Sequence, residues 1–462
     1  MQITHHGGHQ GVTGSCHELH FRDNRSVLID CGMFQGQDAR GRDSMAIEFP
    51  LDDVQALILT HVHIDHIGRI PYLLEAGFNK PIYCTKPTAR MLPIMLEDAV
   101  RLGITRNRRL IKEFLDDLRR LIRPVSYGVW NNLSNATVYD SIEESGTHAK
   151  NGLVFRFQHA GHILGAAYVE TEHAEERYVF SGDLGSRCTP IMKDPISPER
   201  ADLLVLESTY GDRIHEGRDT RLHRLESILC ETMANRGVTI IPAFSLGRTQ
   251  EILYELNLIM EGIGHKTQCS LLKQIDVIVD SPLAIKLTDL YDQLTEFWDD
   301  EAHEVLRVDN QPLVFKNLLE IDRGGDHRET LNYLLKSGKP AIIIAGSGMC
   351  TGGRVVNYLK AFLGRENTDV LFVGFQGAGT PGRAIQECQG GNGKVWLDHA
   401  EIEVKAKTYT LTGYSAHADQ FDLLSFVKGI PVKPREIRLV HGEEAAKTAL
   451  GEKLRELGYL VS

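Results

Sequence analysis

Three imidazoles and a carboxylate fall within six residues at His61-Val62-His63-Ile64-Asp65-His66. Imidazole and carboxylate are the donors that borderline divalent metals such as Zn²⁺ prefer, and so dense a polar group is poor material for a core. In an extended turn His61 and His63, two residues apart, can point the same way. Asp65 and His66 then face a neighbouring position where a helix begins. One short segment can thus feed two adjacent metals, yet its four side chains cannot complete two sites. Further ligands are expected at other strand ends. Candidates are His162 in Ala160-Gly161-His162-Ile163-Leu164-Gly165 and Asp183 in Ser181-Gly182-Asp183-Leu184-Gly185. Glycines on either side let the backbone approach a crowded site. Alone, each is ambiguous, because Gly-Asp is common in turns and a histidine in a glycine-rich loop is often a surface residue. Their order after the first motif is what promotes them.

These residues need strands to place them. Short apolar runs rich in β-branched residues recur at Ser26–Gly32, Ala56–Thr60, Pro81–Cys84, Leu153–His159, Arg177–Asp183 and Leu203–Ser208, and they read as strands. Several end in Asp, His, Glu or Gly, which is where open α/β folds place active sites. Between them, Glu97–Arg123 reads as a long polar helical region carrying Arg101, Arg106, Arg108, Arg109, Lys112, Arg119, Arg120 and Arg123. It is either a solvated helix face or a track for a phosphate backbone. Further on, Val238–Phe244, Ile275–Ser281, Pro340–Gly346 and Val370–Phe375 alternate with helical stretches, the pattern of a parallel α/β domain. After about residue 400 the first character returns, with strands expected at Tyr409–Gly413 and Ile437–Gly442. An interrupted first domain explains this better than two domains in tandem. The expected division is 1–208, an insertion at 209–403, and a closing part at 404–462.

Bulk properties bound the answer without deciding it. The 462 residues are 42% hydrophobic and 24% charged, ample for a buried core in two or three domains. A formal net charge of −11 excludes a wholly basic surface but not a local basic groove. Eight cysteines are scattered with no C-x-x-C pair, so neither a cysteine zinc knuckle nor a redox motif is present. No apolar run approaches the roughly 20 residues that span a bilayer, and Met1–Gly7 lacks the basic and apolar regions of a secretion signal. A cytoplasmic protein with reduced thiols is expected.

The series HVHIDH, AGHILG and SGDLG resembles the metallo-β-lactamase superfamily, and Asp30 in Leu28-Ile29-Asp30-Cys31-Gly32 matches that family's first motif. The resemblance implies that Asp30 orients the site without touching metal, as such outer partners fix histidine direction. A diiron branch of the superfamily has glutamate where this chain has His63, which favours zinc. Later segments resemble the β-CASP nucleases, a group that includes cleavage-and-polyadenylation endonucleases and bacterial and archaeal RNA-processing enzymes. They are Glu207-Ser208-Thr209-Tyr210-Gly211, then Gly413-Tyr414-Ser415-Ala416-His417-Ala418-Asp419, then Val440-His441-Gly442-Glu443. Within the insertion, Pro242–Glu251, Ser347–Arg354 and Gly374–Arg383 are similar to β-CASP segments. The resemblance runs from about residue 10 to the last residues.

It implies an α/β fold, a metallo-β-lactamase αββα sandwich with an inserted β-CASP parallel α/β domain. It also implies two Zn²⁺ per chain. One would be held by His61, His63, His162 and Asp183, the other by Asp65, His66, Asp183 and His441, with Asp183 shared. A hydroxide between the metals would attack a phosphodiester, with Asp65 counted among the catalytic groups. His417 would protonate the leaving oxygen, held in orientation by Glu207. In the insertion, Ser347 and Gly348 can offer donors to a phosphate, and Arg354 and Arg383 can clamp one; the alternative is ordinary loops after strands. Histidine at position 441 is the usual choice of RNA-directed members, so single-stranded RNA is the expected partner, with a homodimer left open and no membrane contact expected.

Two rival readings remain at this point. A small-molecule ester or thioester hydrolase on the same fold would need no arginine-bearing insertion. An inactive scaffold would be expected to have lost ligands, and here each expected position is filled. His5, His6 and His9 resemble a metal cluster in composition but are expected to have local structural or surface roles. His20, His159, His173 and His399 are isolated, and Trp130, Trp298 and Trp396 are too scattered for a base-stacking platform.

Overall fold

The computed structural model describes residues 1–22, 24–41, 43, 45–133, 152–265, 269–388 and 393–462. The chain forms two compact units, Met1–Ile214 with His417–Ser462, and His215–Ala416.

The first unit is built on two six-stranded sheets. One runs Gln2–Gly7, Cys16–Arg22, Arg25–Ile29, Val54–Ile58, Ile82–Thr85, Ile122–Val125, antiparallel across its first three strands and parallel after that. The other runs Glu436–Val440, Leu203–Glu207, Glu176–Phe180, Ala167–His173, Val154–His159, Asn131–Asn132. Strand residues alternate sides, so Val27, Ile29, Ala56 and Ile58 of the first sheet meet Phe155, Phe157, Val169, Phe180 and Val205 of the second in one core. The intervening Leu28 and Leu57 are also buried, because helices cover the outer face. The helix Lys86–Gly103 packs on the strands Ile82–Thr85 and Ile122–Val125 through an apolar stripe that includes Met91, Leu92 and Leu96. Its start is well determined: the Thr85 hydroxyl accepts the Thr88 amide at 3.3 Å, and Pro87 sits in the first turn, where no amide partner is lost. On the second sheet, Phe426 of the helix Gln420–Lys428 meets Tyr168 edge to face.

Two expectations change here. The polar stretch Glu97–Arg123 is two helices, Lys86–Gly103 and Arg108–Leu121, because Asn107 caps the second by accepting the Arg109 amide. Arg101, Arg109, Arg119 and Arg120 pair with acids one turn away on these helices, as a solvated face does.

The second unit centres on a parallel sheet in the order Leu318–Glu320, Asp276–Asp280, Ala341–Ala345, Val238–Pro242, Thr368–Phe372, Lys407–Thr410. Its middle strands are buried throughout, as a sheet flanked by helices on both faces requires. Ile240, Ile343, Val370 and Phe372 pack with Val355, Leu359 and Phe362. The strand expected at Tyr409–Gly413, read as opening the closing part of the first domain, belongs to this sheet. It pairs in parallel with Thr368–Phe372 and gives way to a short 3-10 turn at Thr412–Tyr414. The compact units accordingly change over at His417 rather than at residue 404.

Candidate metal centre

The strand Val54–Ile58 ends two residues before Thr60, and Arg25–Ile29 ends one residue before Asp30. Asp30 takes a left-handed backbone with φ of 62°, a conformation that aspartate tolerates better than most residues. From there its carboxylate accepts the Thr60 amide and the Thr60 hydroxyl, each at 2.8 Å, and pairs with His66 Nδ1 at 2.7 Å. Thr60 Oγ1 also lies 3.1 Å from His61 Nδ1. Both histidines are thereby turned so that Nε2 faces away from this buried anchor. The chain passes very close to itself here. A Cβ on Gly32 would sit 1.5 Å from the Asp65 carbonyl oxygen, so only glycine fits.

Four ligand atoms converge on one point. His63 Nδ1 is 3.1 Å from His61 Nε2 and 3.0 Å from His162 Nε2, and Asp183 Oδ2 is 3.4 Å and 3.6 Å from His61 and His162. Ligands at about 2.0–2.1 Å from a tetrahedral zinc are about 3.4 Å apart, so the spacing fits such an ion. The other oxygen of Asp183 turns to a second set. It lies 3.2 Å from His66 Nε2 and 3.4 Å from His441 Nε2, and Asp65 Oδ2 is 3.9 Å from each. His66 Nε2 and Asp183 Oδ1 are buried without a hydrogen-bond partner among the described residues. Leaving such groups unsatisfied costs about 1–3 kcal/mol each, and a cation would satisfy both. The arrangement suits divalent metal.

Electrostatics agree for His61 and His63, while at His66 burial works against a proton but the Asp183 and Asp30 carboxylates hold the pKa well above its usual range. Burial pulls the His63 pKa down to about 4 and holds His61 well below its usual range, so both are neutral, as ligands must be. Burial also opposes a charge on Asp183, but His441, His66, His61 and His417 around it hold its carboxyl well below the usual range.

His417 stands at the edge of this cluster. Its Nδ1 is 3.2 Å from both oxygens of Glu207 and 3.9 Å from Asp183 Oδ2. Burial works against a proton on the ring, but the Glu207 and Asp183 carboxylates outweigh it and push the pKa up to about 9. Glu207 is fully buried and fixed from behind: it accepts the Leu184 amide at 2.6 Å and the Thr209 amide at 3.3 Å. Strand register explains why Glu207 and His441 belong to one site. Leu203–Glu207 and Glu436–Val440 run parallel with Glu207 opposite Val440, so both strands end together.

All the expected ligands, His61, His63, Asp65, His66, His162, Asp183 and His441, together with Asp30, Glu207 and His417, thus lie in the first unit and converge. The four residues expected to meet phosphate lie in the second unit, after the strand Ala341–Ala345 and in the helix Pro381–Glu387. Ser347 Oγ accepts the Thr351 amide at 3.0 Å, and the backbone at Gly348 packs against Phe244, leaving no room for a Cβ. Arg354 is engaged: its guanidinium donates to Asp280 at 2.6 Å and to the Ile321 and Asp322 carbonyls at 2.6 and 2.7 Å. Arg383 reaches Glu387 at 2.8 Å and is about half exposed.

The sequence reading missed Thr60 and His17. Thr60 was findable, since it directly precedes His61. His17 was not, because only strand pairing carries it toward the site. Its Nδ1 lies 2.8 Å from His5 Nδ1, His5 stacks on His9, and His6 pairs with Glu18 at 2.8 Å.

The comparisons with known proteins agree with this geometry. The metallo-beta-lactamase superfamily matches residues 11–233, the Beta-Casp domain residues 249–385, and the Zn-dependent metallo-hydrolase RNA specificity domain residues 401–461. Ribonuclease TTHA0252 of Thermus thermophilus is 33% identical over 100% of this chain and 98% of its own. An RNase J-like protein of Methanocaldococcus jannaschii is 29% identical over 95% and 91%. Transcription termination factor FttA of the same organism is 27% identical over 99% of this chain and 69% of its own. A crystal structure of a protein of unknown function from Enterococcus faecalis shares the fold with a TM-score of 0.54 at 14% identity, covering 95% of this chain and 93% of that one. With its domains, its ligand cluster and a full-length relative at this identity, the chain belongs to the β-CASP ribonuclease family of the metallo-β-lactamase superfamily.

Proposed function

We propose that the protein hydrolyses phosphodiester bonds of single-stranded RNA with two zinc ions bound per chain. The observation that carries this reading is the shared carboxylate of Asp183, with one oxygen toward His61 and His162 and the other toward His66 and His441. His61, His63, His162 and Asp183 would hold the first ion, and Asp65, His66, Asp183 and His441 the second. When bound, a metal pair lowers the pKa of a water and stabilises both the attacking and the leaving oxygen of an in-line displacement.

The chain's own residues do the rest. Asp30 and Thr60 keep His66 and His61 in the tautomer that turns Nε2 inward. His417, held protonated beside Glu207, gives its proton to the departing ribose oxygen. Glu207 keeps that ring oriented and cationic between turnovers. In the second unit, Ser347, Gly348 and Arg383 are the groups offered to substrate phosphate. Arg354, held by Asp280 and two carbonyls, steadies the loop that carries Ser347 and Gly348. A homodimer is compatible with this chemistry and is not required by it.

A substrate-class comparison tests the reading. Zinc-loaded protein is given 5′-labelled single-stranded RNA, and in parallel a lactone and a thioester. The expected result is RNA fragments that vanish with EDTA, and no turnover of the small esters. Ester turnover without RNA cleavage would move the assignment to a small-molecule hydrolase of the same fold.

A further inference from the structure

A metal-bound histidine needs a partner for its other ring nitrogen, because that bond sets tautomer and ring direction. His66 has Asp30 at 2.7 Å and His61 has Thr60 at 3.1 Å. His441 turns Nε2 toward Asp183 and Asp65, yet its Nδ1 is buried with no hydrogen-bond partner among the described residues.

Beside His441 lies a small cavity of about 10 Å³, whose polar walls come from Ser15, His17, Asp30, Thr60, Ser181, His66, Asp183 and His441 itself. A space of this size takes one water, given two or more polar partners. Most of the wall is already committed. Asp30 and Thr60 are spent on each other, on His66 and on His61, and the two oxygens of Asp183 face the two ligand sets. Ser181 Oγ donates to the Gly182 carbonyl at 2.7 Å and accepts the Glu207 amide at 2.9 Å. His17 and Ser15 remain. His17 Nδ1 is braced by His5 Nδ1 at 2.8 Å, and its Nε2 is on the Ser15 side, 3.5 Å from Ser15 Oγ, a separation too long for a good bond between them.

We propose that His17 is a positioning residue for the second metal: with Ser15 it holds a single water that accepts the Nδ1–H of His441 and so keeps Nε2 aimed at the ion. The strand pairing makes this arrangement. His17 lies opposite both His5 and Ile29 in the sheet, so it is braced on one side by His5 and placed one residue from the register position of Asp30 on the other. The second metal would then be secured twice, by Asp30 through His66 and by His17 through His441.

This inference rests on the two-zinc reading above, and zinc binding tests it without an activity readout. Zinc affinities of the two sites are measured by competition with a chelator in the wild type, His17→Phe, His17→Gln and Ser15→Ala, alongside thermal unfolding. Expected in His17→Phe is a first site of wild-type affinity and a second site weakened by roughly 10- to 100-fold, with His17→Gln recovering much of the loss. Ser15→Ala, which leaves the ring in place, should weaken the second site alone by a smaller factor and serves if His17→Phe does not fold. Wild-type affinity at both sites in every variant overturns the inference. So does equal weakening of both sites, which would mark a merely structural role. A wild type that takes up fewer than two zincs overturns the two-zinc reading itself, and this inference with it.

Discussion

At Asp183 one carboxylate faces two ligand sets, and three of the histidines around it are held by a neighbour: His66 by Asp30, His61 by Thr60, His417 by Glu207. If His417 donates the proton to the leaving oxygen, His417→Ala should lower kcat on RNA by about 10²–10⁴. The same variant should lose far less on bis(p-nitrophenyl) phosphate, whose leaving group departs without a proton. Equal losses on both substrates would place His417 in substrate binding or metal retention instead. Asp30→Asn keeps the size of the side chain but weakens the acceptor facing His66, and it should loosen zinc by about 10- to 100-fold in chelator competition. At this scale legibility followed contiguity. Four candidate ligands were plain because they share six residues, whereas His417, His441 and Glu207 were legible only through family motifs, since nothing local marks a lone histidine as a ligand. His17 was not legible at all, because its place on the wall of the cavity beside His441 depends on pairing between strands.

The elements place these side chains by where they stop. Ile58, Phe180, Glu207 and Val440 each close a strand just before or at a candidate functional residue, and their short apolar runs made those strands readable. Their ends were read one to three residues late because the residues that follow are also buried, as at Leu59, Ser181 and Ser208. The two helices within 86–121 were read as one because their charge pattern continues across the Asn107 cap. The strand Lys407–Thr410 was assigned to the wrong unit because partner choice leaves no mark on four residues. Thr85 offers a test of how an element supports the site. Its hydroxyl caps the helix Lys86–Gly103 and donates to the Gly165 carbonyl at 2.7 Å, three residues after His162. Thr85→Ala should cost about 1–2 kcal/mol of stability, read as a lower urea midpoint with an unchanged slope. A midpoint equal to the wild type would show that the cap is dispensable.

For the whole molecule, the proposed metals tie together segments that are remote in sequence, from His61 to His441, within the first unit. Ions that bind only the folded chain stabilise it by mass action, by about 4 kcal/mol at a thousandfold excess over Kd. EDTA should therefore lower the unfolding temperature by several degrees and added zinc restore it; an unfolding temperature indifferent to both would mean no structural coupling of metal to fold. A net charge of −11 provides no general attraction for RNA, so catalysis has to depend on the site itself. The most direct measurement is single-turnover cleavage of a 5′-labelled single-stranded RNA by protein reconstituted with zero, one and two equivalents of zinc. No cleavage is expected without zinc, and the rate should reach its plateau at two per chain. Full cleavage by the metal-free chain, or none by a chain holding two zincs, would contradict the two-zinc reading.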